Sequence, residues 1–235
     1  MKKTISLFIL LGLLSCSALT RVDNKRVVLK NQLSALEVQE GLIAVLQKGL
    51  NDQVVPRGQN RNFYDHELDR VGFPLGLQKL DIAMRKYGLS DLADKGLLGL
   101  NRTVASSLKA GVPELKIVID SLVFKDVDQI LHGGNHAVTA YFFDKKKEEL
   151  NTLFKPIVKK YFETTGADEV WRLMIEKYNQ IPFVQKINPD LIEEITKQTL
   201  DCLYDLISLE ELSIRTEITS RNSNLLKRVF SLQEQ

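Results

Sequence analysis

Asp128, His132 and His136 recur at four-residue intervals, a spacing that stacks metal ligands along one face of a helix. Gly133 and Gly134 lie between the two histidines. Adjacent glycines favour a break in the helix there, which destroys the regular geometry, so solvent-facing histidines and no metal site are expected. His66 stands between Asp65 and Glu67. A general base also needs a reacting proton within hydrogen-bond reach, and three consecutive polar residues in a loop do not supply one. Asp201 and Asp205 flank Cys202, and their negative charges disfavour a thiolate. The expected role of Cys202 is that of a small buried hydrophobe, on a helical stripe with Leu191, Ile195, Leu206 and Leu209. No catalytic residue and no cofactor is expected.

Gly133-Gly134 is the most distinctive short stretch. Two glycines can take φ > 0, ending one helix and starting the next in little space. The same geometry aims backbone N–H groups outward at a helix N-terminus, where the positive end of the dipole favours a carboxylate or phosphate. Asn135 and Thr139 offer side-chain donors, and Tyr141 a wall. Gly133, Gly134, Asn135, Thr139 and Tyr141 are therefore the candidate ligand or anion site, with a plain structural turn as the competing reading.

The elements that must position these residues are helical. Leu33, Leu36, Val38, Leu42, Ile43, Val45, Leu46 and Leu50 recur at intervals of three and four up to Pro56. The stretch from Pro56 to Pro74 reads as a long loop. Further helices are expected over 76–87, from Ser90 to about Ala110, and over 114–124, with Gly111 and Pro113 between the last two. A short helix over 126–131 is followed by a long one from Asn135 to about Phe154, and Pro156 marks a kink or a new helix ending near Gly166. Ala167–Asn179, Asp190 to about Thr216 and a short tail over 222–230 complete the chain. No alternating strand and no repeat is visible, so the expected class is all-α, a single domain of about eight to ten helices over 29–231.

Composition agrees. The 235 residues are 44% hydrophobic and 26% charged, with 13 Gly and 6 Pro, which fits a globular chain and neither a disordered nor a collagen-like one. Lys plus Arg is 32 against 30 for Asp plus Glu. That balance supplies no broad cationic field, so no nucleic-acid partner is expected.

Lys2 and Lys3, the apolar run Ile5 to Leu14, then Ser15 and Cys16 follow the order of an export signal. Ten mostly apolar residues reach only about 15 Å, half of a hydrocarbon core. Leu13-Leu14-Ser15-Cys16 resembles the bacterial lipobox, in which cleavage precedes a diacylated cysteine. On that reading residues 1–15 are a signal peptide and 16–28 a lipidated tether, and the acyl group on Cys16 makes the membrane a partner. A plain secretory signal cut after Ala18 is the alternative.

Several segments resemble one family. Leu131 to Phe142 follows the L-x-G-G-x-x-A-x-T-x-Y-F stretch of the bacterial domain of unknown function 4197. Phe154-Lys155-Pro156-Ile157-Val158 resembles its F-[RK]-P-I-V, Ile181-Pro182-Phe183-Val184 its [LI]-P-F-V, and Asn224 to Phe230 its D-L-L-K-R-V-F. Leu80 to Leu92 is similar to its K-x-x-x-A-L-R-K-x-G-L-x-x-L, while the Pro56 to Pro74 stretch departs from the family pattern. The resemblance implies a mostly helical, exported envelope protein that faces the periplasm, and it supplies no catalytic residues. The expected function is a non-enzymatic, lipid-anchored domain that binds a small molecule or a partner protein. A hydrolase-type enzyme and a structural scaffold are the alternatives.

The lipobox reading predicts that Cys16→Ala releases the protein from membrane pellets and abolishes metabolic labelling with a fatty acid. Undiminished labelling contradicts it.

Overall fold

Val38, Leu42, Val45 and Leu46, spaced by three and four, fall on one side of a helix, and all four are buried. The computed structural model describes residues 33–59 and 70–234. Cys16, the signal and tether segments and His66 lie outside the described residues. The helical unit begins at Ala35 and comprises eight helices, with no strand among the described residues.

Helix α1, Ala35–Gly49, runs on through a π-helical turn, Leu50–Val54, into a last turn, Val55–Gln59. The helix therefore passes through Pro56, where the sequence suggested a loop. In the π turn the Val55 N–H donates to the Leu50 carbonyl five residues back. This wider turn just ahead of Pro56 relieves the crowding that a proline ring imposes on the preceding carbonyls.

Helix α2, Gln78–Lys86, ends at Gly88, whose φ of 76° is the left-handed stop that glycine takes without strain. Helix α3, Ser90–Asp120, is continuous, so the break expected at Gly111–Pro113 does not occur; α5, Ala137–Thr164, also runs on through Pro156, so of the two alternatives there no new helix begins. Both prolines face solvent, where water can take the hydrogen bond of the carbonyl each leaves unpaired. Gly111 has a packing role instead. A Cβ there would stand 2.6 Å from Cζ of Phe154, so the missing side chain is what lets α3 and α5 approach.

The short α4, Val127–Leu131, is capped by the Asp126 carboxylate, which accepts from the Gln129 N–H. Helix α6, Ala167–Asn179, starts at Gly166, at φ 71°, and buries Trp171, whose indole N–H donates to the Gly96 carbonyl at 2.9 Å. Helix α7 spans Ile192–Thr216, and α8, Asn224–Phe230, is capped by Ser223. Helices α1, α3, α5 and α7 form the core bundle: α7 packs on α1 and α5, and α3 on α5 and on the last turn of α1. Helices α2 and α6 cover α3, and α8 covers α1.

One sequence expectation about this core needs correction. The buried stripe of α7 is Ile195, Thr199, Leu203, Leu206, Ile207 and Ile214. Cys202 is half-buried and Leu209 is exposed, so neither lies on it. Among the polar groups of the core, Asn101 is fully buried and holds the backbone of Val71 at both N–H and carbonyl, each at 2.9 Å.

The close approach at Gly111 predicts that Gly111→Ala costs about 1–3 kcal/mol of unfolding free energy through overpacking. Gly134→Ala, at a position with nothing within 4 Å of a new Cβ, should leave the unfolding midpoint nearly unchanged.

Candidate functional site

The start of α5 holds an anion, as its dipole favours, and that anion is the carboxylate of Glu211 on α7. The Val138 N–H donates to Oε1 at 2.9 Å, and the Thr139 N–H donates to Oε2 at 2.7 Å. The Thr139 hydroxyl donates to Oε2 as well, at 2.7 Å. Arg215, one turn further along α7, completes the cluster through Nε on Oε1 of Glu211 at 2.8 Å. Its terminal nitrogens donate to the carbonyls of Leu131 and Ile130 at the end of α4. Glu211 and Arg215 are both almost wholly enclosed. A carboxylate with this many charge-assisted and backbone partners can remain charged in the core.

Of the five residues expected to form an anion site, Thr139 alone touches this carboxylate. Gly133, Gly134 and Asn135 are exposed, and neither glycine has a positive φ. Tyr141 lies elsewhere: its hydroxyl donates to the Val123 carbonyl, accepts from the Lys125 N–H, and its ring packs 5.0 Å from Phe124. Two turns bridge α4 to α5, with the Gly133 N–H on the Ile130 carbonyl and the Ala137 N–H on the Gly134 carbonyl, and these need no left-handed residue. His132 is exposed against Asp128, while the Nδ1 of His136 faces the Ser208 carbonyl, so the ladder of three is broken. Among the described residues no cluster of His, Cys, Asp and Glu could hold a metal.

Beside Glu211, Glu210 is also buried and accepts hydrogen bonds from Lys48 and Gln53 of α1. Burial works to lower the Lys48 pKa, but the Asp52 and Glu210 carboxylates outweigh it and raise it. Buried Arg221 closes the far end of α7 by donating to the carbonyls of Ile214 and Arg215. Sequence reasoning missed this polar network, although a signal was present. Glu210 and Glu211 stand three and four residues after Ile207 and four and three before Ile214, at positions of an apolar stripe where a solvent-facing charge is out of place.

Beyond Glu211 the α5–α7 seam opens. Helix α7 runs antiparallel to α5, so Tyr204 meets Phe143 edge-on at 5.2 Å and Glu193 meets Asn151 and Lys155. Between them lies a cleft of about 580 Å³. Phe143, Leu150, Leu200 and Tyr204 supply its apolar surface, and Asp144, Lys147, Glu194, Lys197 and Asp201 bring both signs of charge. The Tyr204 hydroxyl is pushed up from its ordinary pKa by burial and by the charges of Glu211 and Asp205. Burial also raises the Asp205 carboxyl, with Asp201 adding to the effect and His136 opposing it.

The family described as a protein of unknown function, DUF4197, matches residues 32–231 of the chain. Neither a curated protein nor a solved structure matches it.

Glu211→Ala leaves Arg215 buried without its partner and two α5 N–H groups unpaired, and is expected to cost about 3–5 kcal/mol in urea unfolding. Glu211→Gln keeps one acceptor oxygen and should cost less. A loss below about 1 kcal/mol for the alanine variant contradicts the assignment, since that is the value of an exposed pair.

Proposed function

The chain belongs to the DUF4197 family, and on that footing we propose that it is a lipid-anchored domain of the bacterial cell envelope that binds a small amphipathic molecule without transforming it. The observation that carries the reading is the α5–α7 cleft. Its volume of about 580 Å³ falls within the range of small-molecule sites. Aromatic and aliphatic groups make the contact area, while a few polar groups fix orientation.

The polar groups give the ligand class. Asp144 is engaged by Lys145, and Glu193 by Lys155 and Asn151. Lys147 of α5 and Glu194, Lys197 and Asp201 of α7 then line the cleft, two charges of each sign. A zwitterionic or amphipathic molecule with an apolar body complements this arrangement better than a simple anion or cation. The side chains that line the cleft are carboxylates, amines, an amide, a phenol and hydrocarbon groups. These hold and orient a ligand through contact area and paired charges.

Native mass spectrometry of the protein purified from its own envelope tests the reading, since it reports acyl mass and retained ligand in one spectrum. The wild type should carry a ligand mass that Leu200→Trp, which fills the cleft, loses with its unfolding midpoint preserved. The same retained mass in both proteins, or none in either, contradicts the proposal.

A further inference from the structure

The connector between α6 and α7 presents one side chain in an unusual way. Phe183 is fully exposed, at 108% of its reference area, and its backbone is left-handed at φ 63°. Among the described residues it is the one non-glycine residue with positive φ, a conformation that is a genuine outlier for a bulky side chain. The loop that holds it is closed at its base. The Asn179 side chain donates to the Ile187 carbonyl and accepts from the Ile187 N–H, each at 2.9 Å. Pro182 precedes Phe183 and fixes its own φ, so the tip is preorganised. A strained backbone that displays an aromatic ring to water gains nothing within the chain, and such outliers persist where they serve a contact.

The surroundings indicate what kind of contact. Ile181, Pro182 and Val184 make the tip apolar, and exposed Lys177 and Lys186 flank it. No carboxylate occurs from Lys177 to Pro189. The nearest acids in sequence are engaged: Glu176 pairs with Arg172, Asp190 accepts from the Ile192 N–H at 3.3 Å, and Glu193 pairs with Lys155. An aromatic tip between lysines, free of acids, complements an anionic lipid surface, where rings settle at headgroup level and ammonium groups meet phosphate. We propose that the loop 180–187 is a membrane-docking tip, with Phe183 entering the interface of an anionic bilayer and Lys177 and Lys186 contacting its headgroups. This contact is separate from acylation at Cys16. In a tethered chain it would fix which face of the domain meets the membrane.

The test uses the mature chain, residues 16–235, carrying Cys16→Ala, so that neither the signal run nor an acyl group anchors it, together with Phe183→Trp. Trp171 is buried and gives a constant background that is subtracted with the parent protein. On adding vesicles of mixed phosphatidylcholine and phosphatidylglycerol, the emission of the introduced indole should shift to the blue and be quenched by lipids brominated along the acyl chain. Lys177→Gln with Lys186→Gln should weaken that response several-fold at unchanged circular dichroism. Emission that stays water-like with these vesicles overturns the proposal. So does an equal response to pure phosphatidylcholine, or emission already shifted before lipid is added, which would mean that a second copy or a protein partner covers the tip. As a check independent of that indole, Phe183→Ser should reduce the quenching, by those brominated vesicles, of a dye attached at residue 185; unchanged quenching also overturns it.

Discussion

The Glu211 carboxylate at the start of α5 is the contact on which the rest of the seam depends. It satisfies two N–H groups that a helix start leaves without intrahelical partners, and Arg215 balances its charge while reaching the end of α4. One side-chain pair thus joins three helices. It also fixes the register of α7 along α5, because a shift of one residue would carry the carboxylate away from both donors. With the register set, Tyr204 meets Phe143 and Glu193 meets Asn151, and the cleft between them takes its shape.

Buried ion pairs contribute little net stability compared with a hydrophobic replacement, while removing one partner is costly. The bundle gains its stability elsewhere, from apolar side chains such as Leu42, Leu46, Phe142, Phe154 and Trp171, all fully buried. Apolar contact tolerates sliding, because one leucine can replace another in the next turn. Glu211 and Glu210 do not tolerate it, since each needs particular donors within hydrogen-bond distance.

Much of the fold was legible in the sequence. Apolar periodicity with Gly88 and Gly166 located the helices from α2 to α8, and Ala167–Asn179 matched its expected limits. Pro56 and Pro113 misled, because a proline inside a helix is read locally as a break, while its cost depends on whether the freed carbonyl faces water. Gly111 misled for a related reason: what it accommodates is Phe154, distant in sequence. At the candidate site, the attraction of an anion to the start of this helix was legible, but its source was not. That required knowing which turn of α7 lies opposite Thr139, a matter of tertiary register. The two glycines drew attention as a ligand site, whereas the donors used are Val138 and Thr139, one turn further into the helix.

Glu211 fills the start of α5, and amide hydrogen exchange at Val138 and Thr139 tests this most directly. N–H groups in the first turn of a helix ordinarily lack partners and exchange quickly. If the carboxylate is in place, these two amides should exchange as slowly as those in the middle of α5, near the rate set by global unfolding. Exchange as fast as that of an exposed first-turn amide would contradict the account.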